Sequence, residues 1–474
     1  MKVSSKQKKG KGWHLKTLDL QEFHGFDLLK FHELEIKKYP YLLESSAKGN
    51  KFARFSIIFY KPKIVLIKEK LHSKIKFLQE LDVIWKENRL EQDYFSANSE
   101  ILEIPFTGGW FVYLGYELVN EIEPKINIPE SPYKEIPTAF AARVNSSIIY
   151  DKLEKKIHFI SDKSKDHIDE MLSDFNRVKK IKTDIKTTNG LGDENLIKLI
   201  NKGTNAQHQK DVRKCIRHIY SGEIFQANLS RLWEFNVNEK IENFNLYKKL
   251  RECNPSPFGG IVTFENSSII SSSPERLVSV SNGLLQTRPI AGTRPRGVSG
   301  ITDIELSKEL VGSSKERAEH LMLVDLERND ISRVCEFGSV EVDEMMVVES
   351  YSHVHHIVSN IKGKLKNKVS PGEIIAAVFP GGTITGCPKV RCMEILAELE
   401  KVGRGPYTGS FGYINHSGNL DFNILIRTMI REHDKISIRA GGGIVADSIP
   451  ERETFETEAK ANALLKALNE LRFQ

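Results

Sequence analysis

The stretch Lys315-Glu316-Arg-Ala-Glu319-His-Leu-Met-Leu-Val-Asp-Leu-Glu-Arg-Asn-Asp330 carries two signals at once. Its length and apolar middle turn predict a long helix over 307–329. Its start places two carboxylates, Glu316 and Glu319, three residues apart on one helical face. The same spacing recurs in Glu453-Thr-Phe-Glu456, at the start of a terminal helix expected over 451–471. Two such helices facing each other would offer four carboxylates to one cation. All-oxygen ligation suits Mg2+, which keeps several waters and takes one or two protein carboxylates. Spacing by itself is a weak signal, because acidic pairs of this kind are commonplace on solvated helix faces.

Around this stretch, helix and strand signals alternate. Apolar residues at helical spacing predict a helix over 207–220, and Pro388 opens another over 388–400. Strands are expected at 229–235, 260–264, 421–431 and 436–440. Before residue 180 the texture changes to aromatic and β-branched runs, which read as strands at 55–60, 110–114, 147–150 and 156–160. The polar segment 179–194, centred on Thr187-Thr-Asn-Gly-Leu-Gly-Asp193, is the best linker candidate. The organisation expected is a basic, disordered tail over 1–19, an N-terminal region over 20–185, a linker over 186–204 and a catalytic region over 205–474.

Composition excludes several classes. With 474 residues, 40% hydrophobic and 28% charged, the chain has the make-up of a globular protein with a large core. No apolar run reaches the roughly 18–20 residues of a membrane span, and no secretory signal follows the basic N-terminus. The net charge is +6, but five lysines fall in the first eleven residues, so the body is near neutral. A nucleic-acid binder would carry a broader basic footprint. The five cysteines form no C-x-x-C pair, which argues for a reducing cytoplasm and against a structural zinc site.

Three further elements bear on chemistry. The triplet Gly441-Gly-Gly443 follows a strand, where glycines either make a tight turn or let backbone N–H groups approach an anion. Arg427, inside an apolar run expected to be a strand, needs an acidic partner or a ligand carboxylate. His353, His355 and His356 alternate so that His356 faces away from the other two in a strand. Their spacing is not that of a metalloprotease, and one histidine as an acid, base or hydrogen-bond donor is the better reading.

Taken in order, the motifs become recognisable. Gly222-Glu-Ile-Phe-Gln-Ala-Asn-Leu-Ser230, Ser273-Pro-Glu-Arg276, Arg288-Pro-Ile-Ala-Gly-Thr-Arg294, Glu319 to Asp330, Ser352-His-Val-His-His-Ile-Val-Ser359, Phe379-Pro-Gly-Gly-Thr-Ile-Thr-Gly-Cys-Pro-Lys389 and Gly441-Gly-Gly-Ile-Val-Ala-Asp-Ser448 together resemble the chorismate-binding enzymes. The resemblance is dense over 206–466. It implies an α+β fold with two antiparallel-rich β-sheets packed face to face and helices outside. It also implies that Glu319 and Glu456 bind Mg2+, with Glu316 and Glu453 in support. The substrate would be chorismate, met by Tyr407, Arg427, the backbone at Gly441 and Lys460. Thr383 and His356 would line the ring, and Glu275 would protonate the departing C4 hydroxyl. Leu43, Glu44, Ser45 and Arg54 resemble a tryptophan pocket, here expected to be vestigial.

Within the family, isochorismate and salicylate synthases carry a water-activating lysine where this chain has Gln226, so ammonia is the expected nucleophile. Some aminodeoxychorismate synthases carry a covalent lysine where this chain has Ala291. The variants Phe379-Pro-Gly-Gly-Thr, Asp325-Leu-Glu-Arg-Asn, His355-His356-Ile-Val-Ser and Asp421-Phe-Asn-Ile-Leu-Ile-Arg-Thr428 are more similar to the C4-aminating branch. The expectation is therefore aminodeoxychorismate synthase component I chemistry on the route to 4-aminobenzoate and folate. Anthranilate synthase component I chemistry is the alternative, and a non-catalytic chorismate-binding paralogue is the alternative of another class. No cysteine lies in a Gly-x-Cys-x-Gly elbow. Ammonia is expected from a separate glutamine amidotransferase subunit, with a lyase downstream and neither nucleic acid nor membrane as a partner.

Overall fold

A computed structural model describes residues 12–20, 26–47, 54–90, 101, 103–181, 196–297, 299–350 and 354–472. The lysine-rich residues 1–11, most of the expected linker (182–195) and His353 lie outside the described residues.

Among the described residues, strands form one sheet of twelve and one of ten, with every pairing antiparallel. The first runs from His14–Asp19 through Lys156–Ser161, Ser146–Asp151, Phe55–Tyr60, Tyr41–Glu44, Phe258–Phe264, Ser267–Ser273, Thr428–Glu432, Lys435–Ile444 and Gln226–Val237 to Gly386–Cys387. The second runs from Ile290–Pro295 through Val354–Lys364, Leu284–Thr287, Arg276–Ser281, Leu420–Asn423, Ser410–Asn415, Gly109–Leu114 and Ala139–Val144 to Lys63–Lys68. Both sheets mix strands from before and after the expected linker. His14–Asp19 is paired with Lys156–Ser161, so the expected tail gives way to sheet well before residue 19. Ile197–Lys202 pairs with Gln226–Val237, so the end of the expected linker is also strand.

The sheets pack face to face over a common apolar core. From the first come Tyr41, Phe59, Val262 and Ile430; from the second come Phe111, Phe140 and Phe411. Tyr41 stacks on Phe111 at 4.4 Å between ring centres, and Phe59 meets the same ring edge-on at 5.5 Å. Helices cover the outer faces. Met171, Phe175, Leu464 and Leu468 pack on the first sheet, and Phe77, Leu81, Ile374 and Ile375 on the second.

Two expectations are corrected, and one of the two readings of the glycine triplet is excluded. The helix over 307–329 is two helices, Gly300–Gly312 and Ser314–Ser332. Ser313 breaks it by adopting an extended conformation, and its Oγ accepts the Glu316 N–H as an N-cap. The strand over 421–431 is interrupted between Leu420–Asn423 and Thr428–Glu432, because the chain there leaves one sheet and enters the other. Arg427 sits in that crossing, with φ +51°. The three glycines at 441–443 make no turn and continue the strand Lys435–Ile444.

Phe111 is fully buried between the sheets. Phe111→Ala is expected to destabilise the protein by about 3–5 kcal/mol, read as a lowered denaturation midpoint in urea.

Candidate functional site

The site forms where two strands pass together from one sheet to the other. Ser267–Ser273 lies in the first sheet and Arg276–Ser281 in the second, with Pro274 and Glu275 between. Beside it, Leu420–Asn423 and Thr428–Glu432 make the reverse crossing. The crossings are tied by backbone bonds: the Ile424 N–H donates to the Glu275 carbonyl at 3.0 Å, and the Ser272 N–H to the Arg427 carbonyl at 3.1 Å. Ser273 Oγ donates to the Ile424 carbonyl. Glu275 and Arg427 are thereby placed at the gap, at the edge of a cavity of about 150 Å3.

Seven of the residues expected at the site line that one cavity: Glu275, His356, Thr383, Tyr407, Arg427, Gly441 and Lys460. Gln226 and Ala291 are not in its wall. Gln226 starts the strand Gln226–Val237 opposite Cys387, and its amide lies over Gly443, where a Cβ would stand 2.1 Å from Nε2. Ala291 follows Ile290, which does line the cavity, and pairs with Ile357. Gly441 is required by space: a Cβ there would stand 2.7 Å from Asn228 Oδ1 and 2.8 Å from the Tyr407 hydroxyl.

Burial sets the protonation of the site. Burial first, and then the field of Glu327, push the Glu275 carboxyl up to about 7, against the Thr383 hydroxyl, the Ile290 N–H and Lys460, which favour the ionised form. Burial also holds His356 down at about 3, helped by Arg427. His356 is therefore neutral near pH 7, and its Nδ1–H donates to the Gly292 carbonyl at 3.3 Å. Tyr407 is pushed up to about 12 by burial and stays a phenol. Arg427 is lowered by burial while Glu275 opposes the shift; its Nη1 donates to Asn254 Oδ1 at 3.3 Å. The combination is a carboxyl that titrates at about 7 beside Arg427 and Lys460 in one cavity of mixed polar and apolar lining.

The acidic pairs approach from the helices. Glu453 and Glu456 stand over Gly442, where a Cβ would meet their carboxylates at 3.5 and 3.7 Å. Lys460 Nζ pairs with Glu456 at 2.7 Å and donates to the Gly441 carbonyl at 3.0 Å. The Glu453 carboxylate accepts the Ser448 hydroxyl at 2.7 Å. On the other helix, Glu316 pairs with Arg294 at 3.2 Å, and Glu319 is half-buried one turn further on. Among the described residues, no three His, Cys, Asp or Glu side chains gather as a ready metal cage. Glu316 and Glu453 are engaged by Arg294 and Ser448, and Glu456 by Lys460.

Asn228, inside the motif over 222–230, and Arg439, which no motif marked, also line the cavity. Arg439 stands two residues before Gly441 on one strand, so period-2 alternation puts both on the same face and could have found it. A buried ion cluster holds it. Glu400 pairs with Arg439 at 3.2 Å and with Arg404 at 2.8 Å. Arg404 in turn donates to the Asn228 and Ile384 carbonyls at 2.7 and 3.1 Å. Glu400 is held below the usual carboxylate range because these cations outweigh the cost of burial.

A second cavity, of about 270 Å3, is lined by Leu43, Glu44, Ser45 and Arg54 among others. The charged members are internally satisfied. Glu44 accepts from Arg251 and the Tyr247 hydroxyl at 2.9 Å each, and Arg54 pairs with Asp151 at 2.7 Å. Arg276, the residue after Glu275, lines this cavity and pairs with Asp421 at 2.8 Å.

The model of the chorismate binding enzymes matches residues 38–466. The chain is 39% identical to anthranilate synthase component 1 of Acetivibrio thermocellus, over 93% of this chain and 92% of that one. It is 40% identical to aminodeoxychorismate synthase component 1 of Bacillus subtilis, over 77% of each. Anthranilate synthase component I from Streptococcus pneumoniae TIGR4, a solved structure 32% identical, superposes with a TM-score of 0.72 over 87% of this chain and 92% of that one. With the two antiparallel sheets and the cavity at their crossing, these matches establish that the chain belongs to the chorismate binding enzyme family.

Proposed function

We propose that this chain aminates chorismate with ammonia and, as an anthranilate synthase component I, adds the nitrogen at C2 and releases pyruvate. The observation that carries the amination is Glu275, a buried carboxyl that titrates at about 7 and so holds its proton in part at neutral pH, lining one cavity with Arg427 and Lys460. Chorismate is a dianion with a poor leaving group. It needs cations for its carboxylates and a proton for the C4 hydroxyl as that group departs as water. Ammonia adds at C2 as the ring double bonds shift and water leaves C4. Loss of the C2 proton and of the enolpyruvyl group as pyruvate then gives the aromatic amine. Neutral His356 and Thr383 line the ring in this reading, and Arg427 with Tyr407 and the Gly441 backbone takes a carboxylate.

The choice of carbon rests on the relatives. The motif variants favour C4, whereas the relatives of Acetivibrio and Streptococcus, matched along most of the chain, carry the anthranilate synthase name. C4 amination is the second reading, favoured by those variants and by the Bacillus relative. Either reaction uses Glu275 in the same way, and Ala291 offers no nucleophile of its own. Ammonia would come from a separate glutamine amidotransferase subunit.

Glu319 and Glu456 would hold Mg2+, which when bound would neutralise a substrate carboxylate. Their all-oxygen donor set, one carboxylate from each helix, fits a cation that completes its shell with water and substrate oxygens.

Purified protein given chorismate, a magnesium salt and an ammonium salt is expected to produce fluorescent anthranilate directly. Product that appears as 4-aminobenzoate only after addition of a lyase would move the reading to C4, and no turnover in either format would refute amination. Glu275→Gln is expected to lower kcat by about 100-fold or more. Because the protonated form is the active one, wild-type activity is expected to fall as pH rises through about 7, after allowance for the ammonia fraction. Glu319→Ala is expected to abolish turnover and to weaken Mg2+ binding in calorimetry; unchanged binding heat would remove Glu319 from the metal site.

A further inference from the structure

Glu327 is a buried acid that the chemistry above leaves unused. It lies on the helix Ser314–Ser332 on the same face as Leu323, Val324 and Ile331, all buried. An acid in such a stripe is costly unless its oxygens are satisfied. They are: Thr287 Oγ1 donates to Oε2 at 2.8 Å, and the Gly382 N–H to Oε1 at 3.3 Å. Gly382 allows that approach, since a Cβ there would stand 2.5 Å from Leu326 Cδ2 and 3.3 Å from Glu327 Oε1. The next residue is Thr383, whose buried hydroxyl has no hydrogen-bond partner among the described residues and which lines the same cavity as Glu275. Glu327 thus holds one residue of the turn, and the next residue shares the cavity with Glu275.

Charges around the pair are unequal. Lys460 from the C-terminal helix and Arg427 from the strand crossing face Glu275 and favour its ionised form, while His356 on Val354–Lys364 is neutral. Glu327 is the group that opposes them. Around Glu327, Asp330 on its own helix repels and Lys389 on the helix Lys389–Glu400 attracts, and these two are themselves paired at 2.5 Å. Burial and Asp330 leave Glu327 titrating at about 7. Glu275 and Glu327 therefore titrate in the same range, with the charge of Glu327 bearing on Glu275.

We propose that Glu327 is a positioning residue for the acid, holding through the Gly382 N–H the turn that carries Thr383 into the cavity wall shared with Glu275. This rests on Glu275 being the acid of the amination. The sign is fixed by like-charge repulsion: a charged Glu327 raises the pH at which Glu275 ionises, so its removal lowers it.

The test is the pH dependence of kcat/KM for chorismate at fixed free ammonia, in wild type, Glu327→Gln and the near-isosteric Thr287→Val. Ammonia's own titration is common to all three. Glu327→Gln is expected to move the alkaline limb to lower pH by about half a unit or more, an approximately threefold loss on that limb beyond any uniform fall. Thr287→Val, which removes a donor that favours ionised Glu327, is expected to move it the same way by less, and it serves if Glu327→Gln fails to fold. In a Glu275→Gln background, adding either change should produce no shift. A limb that stays in place while the rate falls at every pH would make Glu327 a purely structural residue and overturn the proposal. A wild-type profile whose limb survives Glu275→Gln would instead overturn the acid assignment, and Glu327's role with it.

Discussion

The site depends on one constraint: two antiparallel strands must cross from one sheet to the other at the same level. A strand that leaves its sheet loses its ladder partners, and buried backbone groups without partners are costly. Here each crossing satisfies the other, through Ile424 with Glu275 and Ser272 with Arg427. The gap that results cannot be filled by regular strand, and side chains at the crossing point into it. An acid and an arginine are delivered to the same cavity by the same backbone economy. The left-handed conformation of Arg427, costing of order 1–3 kcal/mol, is compatible with a crossing held on both sides.

Electrostatics follow from that placement. A carboxyl and a guanidinium in water would both be charged and screened. At the junction of the two sheets, Glu275 holds its proton up to about pH 7 and His356 is neutral there, because burial penalises whichever form carries charge. The site consequently combines an acid that titrates at about 7, a neutral imidazole and fixed cations, which suits a dianionic substrate losing a hydroxyl. The Glu400 cluster supports this from behind. Glu400 pairs with both Arg439 and Arg404, and Arg404 braces the Asn228 and Ile384 backbone. Breaking a buried pair of this kind leaves an uncompensated charge, which is far more costly than the pair itself is stabilising.

The two acidic motifs show how a repeated spacing can conceal different roles. Glu316 and Glu453 are occupied by Arg294 and Ser448, whereas Glu456 shares Lys460 with the Gly441 carbonyl. The glycine strand is the common surface: Gly441 makes room for Asn228 and Tyr407, and Gly442 faces the carboxylates. A strand without side chains lets a helix and a cavity wall approach it from opposite faces.

Much of this was legible in the chain itself. Period-2 runs such as Phe55–Tyr60 and Gly109–Leu114, and the terminal helix Pro450–Arg472, follow from local patterning, because alternation and helical spacing are properties of neighbouring residues. The ordered motifs likewise mark Glu275, Thr383, Tyr407, Arg427 and Gly441, which share one cavity. Other features were decided only by tertiary contacts. The break at Ser313 turns on a single cap bond, and the run around Arg427 is as apolar as a strand although it is a crossing. The pairing of His14–Asp19 with Lys156–Ser161 joins segments far apart in sequence. The altered acidity of Glu275 and Glu327 arises from desolvation by residues remote in the chain, and no local pattern records how much water a folded interior excludes.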